Sequence, residues 1–350
     1  MNDVVLAIYS DRLFMAAVGV YVLAMVLHAA EYATLRTARV PAMEARPADT
    51  PVTVAAVAVG VPTSPDSDES AARRNLSDES AVRRNLSDES AARPEPPTAD
   101  RPPRTRADRF GGAAVNLVVL AALLQLGSIV CRGLATDRWP LGNMYEFTSA
   151  VCLAAVVTWL VVLRRLPALR AVALFVLLPV VVLLFLAGTV LYARAAPVVP
   201  ALRSYWLVVH VTTITVSSGL LFVPGVASLL FLVRRSGWST ALVERLPSAA
   251  ALDRLAYRTT IVAFPLYTFG VIAGAIWAEA AWGRFWGWDP KETVAFVAWV
   301  VYAAYLHARA TAGWRSGPAA WVNVAGLAVV LFNLFFINMV VAGLHSYAGL

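Results

Sequence analysis

Residues 282 to 292 read Trp-Gly-Arg-Phe-Trp-Gly-Trp-Asp-Pro-Lys-Glu, placing three tryptophans and a phenylalanine within seven positions between two long apolar stretches. Such density makes a flat, polarizable, amphipathic surface, larger than a simple turn requires and suited to a planar ligand at a membrane interface. Four histidines are the other side chains with chemistry to offer: His28, His210, His307 and His345. Each falls in a different apolar stretch. An imidazole in a membrane helix is a costly polar group that marks a functional site by default. Two neutral imidazoles approaching from opposite sides form an axial set for haem iron. His210 and His345, with the tryptophan surface between them, make haem the planar ligand that these residue types favour.

The elements that must position these groups are legible in composition. Apolar residues are 59% of the 350 positions and charged residues 15%, against roughly a quarter charged in soluble domains. Mean hydropathy is +0.66. Charge-free runs at 13–30, 110–131, 147–163, 171–193, 204–233, 259–278, 293–308 and 316–350 are close to or above the roughly 17 to 25 residues a spanning helix needs. The expectation is an all-α polytopic membrane bundle of about eight transmembrane helices.

Arginine placement orients it, since cytoplasmic loops hold Lys and Arg in excess near helix ends. Arg36 and Arg39 follow the first span, and Arg104, Arg106 and Arg109 precede the second. Later loops on that side add Arg164, Arg165, Arg170, Arg234, Arg235 and Arg309. Both termini are therefore expected outside, with residues 1–30 a retained signal-anchor-like first helix. On this topology His210 and His345 share the outer end with the tryptophan run, while His28 and His307 lie at the inner end.

Net charge is +7. Because the arginines flank apolar spans, anionic lipid rather than nucleic acid is the expected counterpart. Residues 31–109 form a polar segment carrying a ten-residue repeat, Ser67 to Leu76, repeated at 77–86 and in part at 87–93. Its composition is that of a disordered cytoplasmic linker. Cys131 and Cys152 lie near outer helix ends and form neither CxxC nor CxxCH. Two buried apolar residues or an exterior disulfide both fit them.

Asp289-Pro290-Lys291-Glu292 has the form of a helix start, with Asp at the N-cap, Pro at the first helical position and Glu closing a capping box. Capping and direct ligand contact are both open for Asp289. If 282–289 is helical, Trp282, Phe285, Trp286 and Asp289 share one face and Trp288 lies on roughly the opposite side. An aromatic belt anchor is the alternative for scattered tryptophans. Lys291 is the only lysine among 29 basic residues, which suggests a specific local requirement for a compact ammonium.

The run from Trp282 to Glu292 resembles the WWD signature of haem-handling proteins. The layout from about 110 to 350 resembles the CcsA or ResC-type family of System II cytochrome c biogenesis, called CcsB in some bacteria. The similar segments are Trp139 to Glu146, Trp206 to Val211, His307, and Gly343 to Ala348. The repeat region is outside the resemblance and looks like an insertion.

The resemblance implies that His210 and His345 ligate haem b iron at an external site, over Trp282, Trp286, Trp288 and Asp289. It implies that His307 holds haem at an inner site with a ligand from a ResB-type membrane subunit. A substitute ligand and a buried structural residue are the two readings of His28. Arg194 and Arg203 are candidate partners for the haem propionates. The implied activity is haem export and attachment to CxxCH motifs of apocytochrome c at the cytoplasmic membrane, as a haem-lyase component. Thiol-reducing proteins are further partners it admits. A b-type electron-transfer protein is the alternative, although it typically takes two histidines from each of two helices. A solute transporter would show broken half-helices in matching halves, which are not evident.

Overall fold

The computed structural model describes residues 2–35, 105–197, 204–237, 243–311, 313–314 and 317–345. The expected linker and its repeats lie almost wholly outside these residues. Among the described residues the chain is helical without strands, and eight helices are long and apolar enough to cross a membrane. They are α1 (Asn2–Thr34), α2 (Arg106–Thr136), α3 (Met144–Arg165), α4 (Ala173–Thr189, entered through a 3-10 turn at Pro167–Val172), α5 (Tyr205–Arg235), α6 (Ala249–Trp282), α7 (Pro290–Thr311) and α8. The last begins at Gly317 and runs to Val340 through a π-turn at Asn333–Ile337. Helices are the expected solution in lipid, where every backbone polar group has to be satisfied within its own segment.

Several helices are longer than the charge-free runs that announced them, because their charged residues are paired inside the bundle. In α1, Asp11 lies 3.5 Å from Arg132 and accepts from the Tyr192 hydroxyl at 2.7 Å. In α6, Asp253 is held by both terminal nitrogens of Arg309, at 2.6 and 3.0 Å. Helix starts carry polar caps. Thr105 and Asp108 form a capping box, Asn143 accepts from the Glu146 amide, and Ser248 accepts from the Ala251 amide.

Helix α1 packs along α2 and α4, α5 along α6, α3 and α8, and α7 against α6 and α8. The α1–α2 pair is antiparallel, since Ser10 meets Ser128 near one end while Glu31 meets Gly111 near the other. A continuous core built on Phe14, Tyr21, Trp159, Leu177 and Leu184 fills the space among the first helices.

Each end of the bundle has a buried charged cluster. At the end holding the start of α1, Glu146 accepts from Arg132 at 2.8 Å, from Arg138 at 2.8 and 2.9 Å, and from the Gly142 amide at 2.8 Å. Arg132 also donates to the Ala193 carbonyl. At the opposite end His28 Nδ1 lies 3.0 Å from Glu31, which pairs with Arg170, itself 3.0 Å from Asp108. His28 is thereby a buried residue of a network joining α1, α2 and the 3-10 turn, with its Nε2 without a hydrogen-bond partner among the described residues.

Candidate functional site

The end of the bundle that holds the Glu146 cluster also gathers the start of α5, the end of α6, the loop to α7, the end of α8 and the segment after it. Helix α6 stops at Trp282 because Gly283 adopts the left-handed conformation, φ 72°, and closes the last turn on the Glu279 carbonyl. The following residues to Asp289 are irregular, not helical. At the close of this loop Asp289 caps α7. Its Oδ2 accepts from the Lys291 amide at 3.1 Å, and Glu292 reaches back to the Asp289 amide at 3.1 Å.

These elements enclose a cleft of about 760 Å³, open solvent included. His210, Trp277, Trp282, Trp286, Lys291 and His345 are in its wall. A second cavity of about 630 Å³ adjoins it, sharing His210, Trp277, Lys291 and His345 and adding the Leu141–Met144 segment before α3. The walls are mainly apolar, with Ser218, Tyr267, Lys291, Glu292 and Asn333 among the polar residues that join the two imidazoles in them.

Trp277 of α6 connects the histidines. Its indole stacks on His210 at 6.1 Å between centroids and 8° between planes, and meets His345 edge-on at 5.9 Å. Trp282 meets His345 at 5.1 Å and Trp277 at 4.8 Å. His210 is the sixth residue of α5, and its approach to α6 requires Gly274, where a Cβ would stand 2.6 Å from the imidazole Cε1.

Both imidazoles are fixed in one tautomer by what their Nδ1 atoms meet. His210 Nδ1 lies 2.8 Å from the Gly270 carbonyl and His345 Nδ1 lies 2.8 Å from Asp289 Oδ2. A carbonyl and a carboxylate only accept, so each Nδ1 carries the proton and each Nε2 is the nitrogen a metal would take. Oxygen partners of this kind orient ligating histidines and raise their basicity.

Asp289 serves the cap and the site together. Its Oδ1 accepts from the Leu344 amide at 2.7 Å, its Oδ2 from His345, and its carboxyl is held down at about 2. Burial alone would raise it, but the hydrogen bonds from His345, Leu344 and Lys291 outweigh burial. His345 lies beyond α8 rather than in it, because the chain turns extended at Val341 and folds back onto Asp289. That return passes over Gly343, where a Cβ would sit 2.7 Å from Asp289 Oδ1.

The π-turn in α8 brings two asparagines five positions apart to the same residue. Asn333 Nδ2 donates to the Lys291 carbonyl at 3.2 Å, and Lys291 Nζ donates to Asn338 Oδ1 at 2.5 Å. In a regular α-helix, positions five apart are turned well away from one another.

Of the residues singled out in the sequence, His210, His345, Trp282 and Trp286 share the cleft and Asp289 stands directly behind it. Trp288 does not lie across a helix from Trp286. With φ 57° it packs against Trp286 at 5.9 Å and Phe296 at 6.5 Å, 68% exposed and outside the cleft wall. His307 lies 17 residues beyond Pro290, roughly 25 Å along α7. Its side chain is exposed on the open face of that helix instead of facing the interior. Arg194 is exposed and Arg203 is outside the described residues. Cys131 and Cys152 are free thiols, the latter buried. Trp277, Gly274, Asn333 and Asn338 carry the site without having stood out. The available signal was a second tryptophan five residues before Trp282.

Residues 141–345, which include His210, the tryptophan loop, His307 and His345, match the family described as Cytochrome C assembly protein. The chain is 37% identical over 258 residues to the cytochrome c biogenesis protein CcsA of Synechococcus sp. (strain RCC307), covering 66% of this chain and 83% of that one. It is 36% identical over 268 residues to the protein of the same name from Synechococcus sp. (strain CC9902), covering 69% and 88%. With its helices and sequence in agreement, this chain is a multi-pass member of the cytochrome c assembly family, of the CcsA type, with a role in cytochrome c maturation.

Proposed function

We propose that the cleft binds haem through His210 and His345 and presents it to apocytochrome c for covalent attachment. The supporting observation is the convergence of two imidazoles, each oriented by an oxygen acceptor at Nδ1, on one indole-walled cleft. Trp277, Trp282 and Trp286 offer the flat apolar surfaces that a porphyrin plane buries. By the distribution of arginines this end of the bundle faces outside the cytoplasmic membrane.

An apocytochrome CxxCH segment enters the open side of the cleft, and its histidine replaces one of the two imidazoles on the iron. Each cysteine S–H then adds across one vinyl C=C: sulfur bonds to one carbon and hydrogen to the other, with no atom lost and no net oxidation. The chain contributes position and exclusion of water, which is where binding energy is most effective in such an addition. His307, exposed at the opposite end of α7, is the inner haem ligand in this reading and takes its second ligand from a ResB-type subunit packed on that face.

The absorption spectrum of the purified full-length protein with haem tests the assignment. A bis-imidazole b-type spectrum is expected, to be lost in His210→Ala and in His345→Ala. An unchanged spectrum in the double variant overturns the ligand assignment. Restoration of holocytochrome c in a deficient strain separates maturation from electron transfer.

A further inference from the structure

We infer that Lys291 anchors a porphyrin carboxylate in this cleft, a reading that rests on the proposed haem site. Lys291 lines both cavities, as do His210 and His345. Among the described residues its ammonium has no carboxylate within salt-bridge distance, and its side-chain partner is the neutral amide of Asn338. The nearby acids take their hydrogen bonds from other donors, with Glu292 Oε1 buried and without one among the described residues. Asp289 accepts from His345 and from the Leu344 and Lys291 amides, and Glu292 Oε2 accepts from the Gly287 and Asp289 amides.

The position is not explained by its helix. Lys291 stands in the first turn of α7, where the peptide dipoles are positive and a cation is disfavoured. A half-buried ammonium whose hydrogen-bond partner is a neutral amide is likewise costly. Both costs are removed by an anion arriving with the ligand. Glu292 is in the wall of the larger cavity, but among the described residues Lys291 is the only Lys, Arg, Asp or Glu lining the smaller one. A ligand carboxylate directed there meets one formal charge, of the opposite sign. A lysine suits the contact as a compact point charge on a flexible stem.

The test is a spectral titration of the full-length protein in detergent with haem and with haem dimethyl ester, whose carboxylates are blocked. In Lys291→Ala the b-type spectrum is expected to persist while haem binds about tenfold more weakly. The ester is expected to bind the wild type and Lys291→Ala alike, near the affinity of Lys291→Ala for haem. Lys291→Arg, which keeps the charge, is expected to recover much of the preference for the free acid. Equal haem affinity in wild type and Lys291→Ala overturns the assignment, as does a loss that is the same for acid and ester. Absence of any b-type spectrum in the wild type overturns the haem site itself, a result distinguishable from either.

Discussion

His345 donates from Nδ1 to Asp289 Oδ2 at 2.8 Å across 56 residues of chain, so the carboxylate that starts α7 is also the one that aims a candidate iron ligand. Replacing Asp289 therefore has two separable effects. Asp289→Asn keeps an oxygen for the helix cap but gives up the charge behind the imidazole, and a loss of haem affinity is expected with a loss of stability limited to what that charge contributes. Asp289→Ala removes both, and an additional destabilisation of about 1 kcal/mol is expected from the missing cap. Thermal unfolding and haem titration of the two variants check this.

The same carboxyl gives a pH signature. Its value in the folded protein, about 2, is below the ordinary 3.8. Its contribution to stability is thus fully present above about pH 4 and lost as pH falls toward 2. The stability difference between wild type and Asp289→Asn should be constant from neutral pH down to about 4 and shrink below it. Unfolding midpoints measured in acid series check the window.

Gly274→Ala places a methyl group where the His210 ring now lies, 2.6 Å from its Cε1. The imidazole has to turn away from the Gly270 carbonyl, and loss of the b-type spectrum is expected while helical circular dichroism is retained. A wild-type spectrum would mean that α5 and α6 separate at little cost.

Glu146 is buried between Arg132 and Arg138, with Arg132 only 2% exposed. Glu146→Ala takes from the buried Arg132 guanidinium its carboxylate at 2.8 Å and leaves it Asp11 at 3.5 Å, and a destabilisation of roughly 3 kcal/mol is expected. Denaturation in detergent measures it, and Glu146→Gln should fall between the two.

His307→Ala is expected to leave haem binding from the cleft side intact in the purified protein, because the residue is on the far part of α7. If His307 is the inner ligand, the same variant should isolate from cells with less haem in the cleft. Comparing occupancy as isolated with occupancy after loading separates delivery from binding.

Much of this architecture was legible beforehand, for identifiable reasons. The eight spans followed from charge-free runs because lipid imposes length and composition together. The start of α7 followed from Asp289-Pro290-Lys291-Glu292 because capping is local chemistry. The joint placement of His210 and His345 followed from counting spans. What failed depended on non-local pairing. The starts of α1 and α6 were hidden by charges that are neutralised across the bundle, as Asp253 is by Arg309. Trp277 looked like any tryptophan in an apolar span. The helical placement of Trp288 depended on 282–289 being helical, and Gly283 ends α6 at Trp282. The exposure of His307 was unreadable in a helix apolar on nearly every side.

The wide turn at Asn333–Ile337 holds one residue more than a regular helix would accommodate, and everything after it is rotated accordingly. Excising a single residue there would restore ordinary winding and swing Asn338 by about 100°, carrying the tail with it. Lys291 would lose its amide and His345 its approach to Asp289, although no residue of the cleft itself had been altered. A deletion at this point would thus act on the proposed haem site from outside it, and regularising the helix for stability is expected to weaken haem binding.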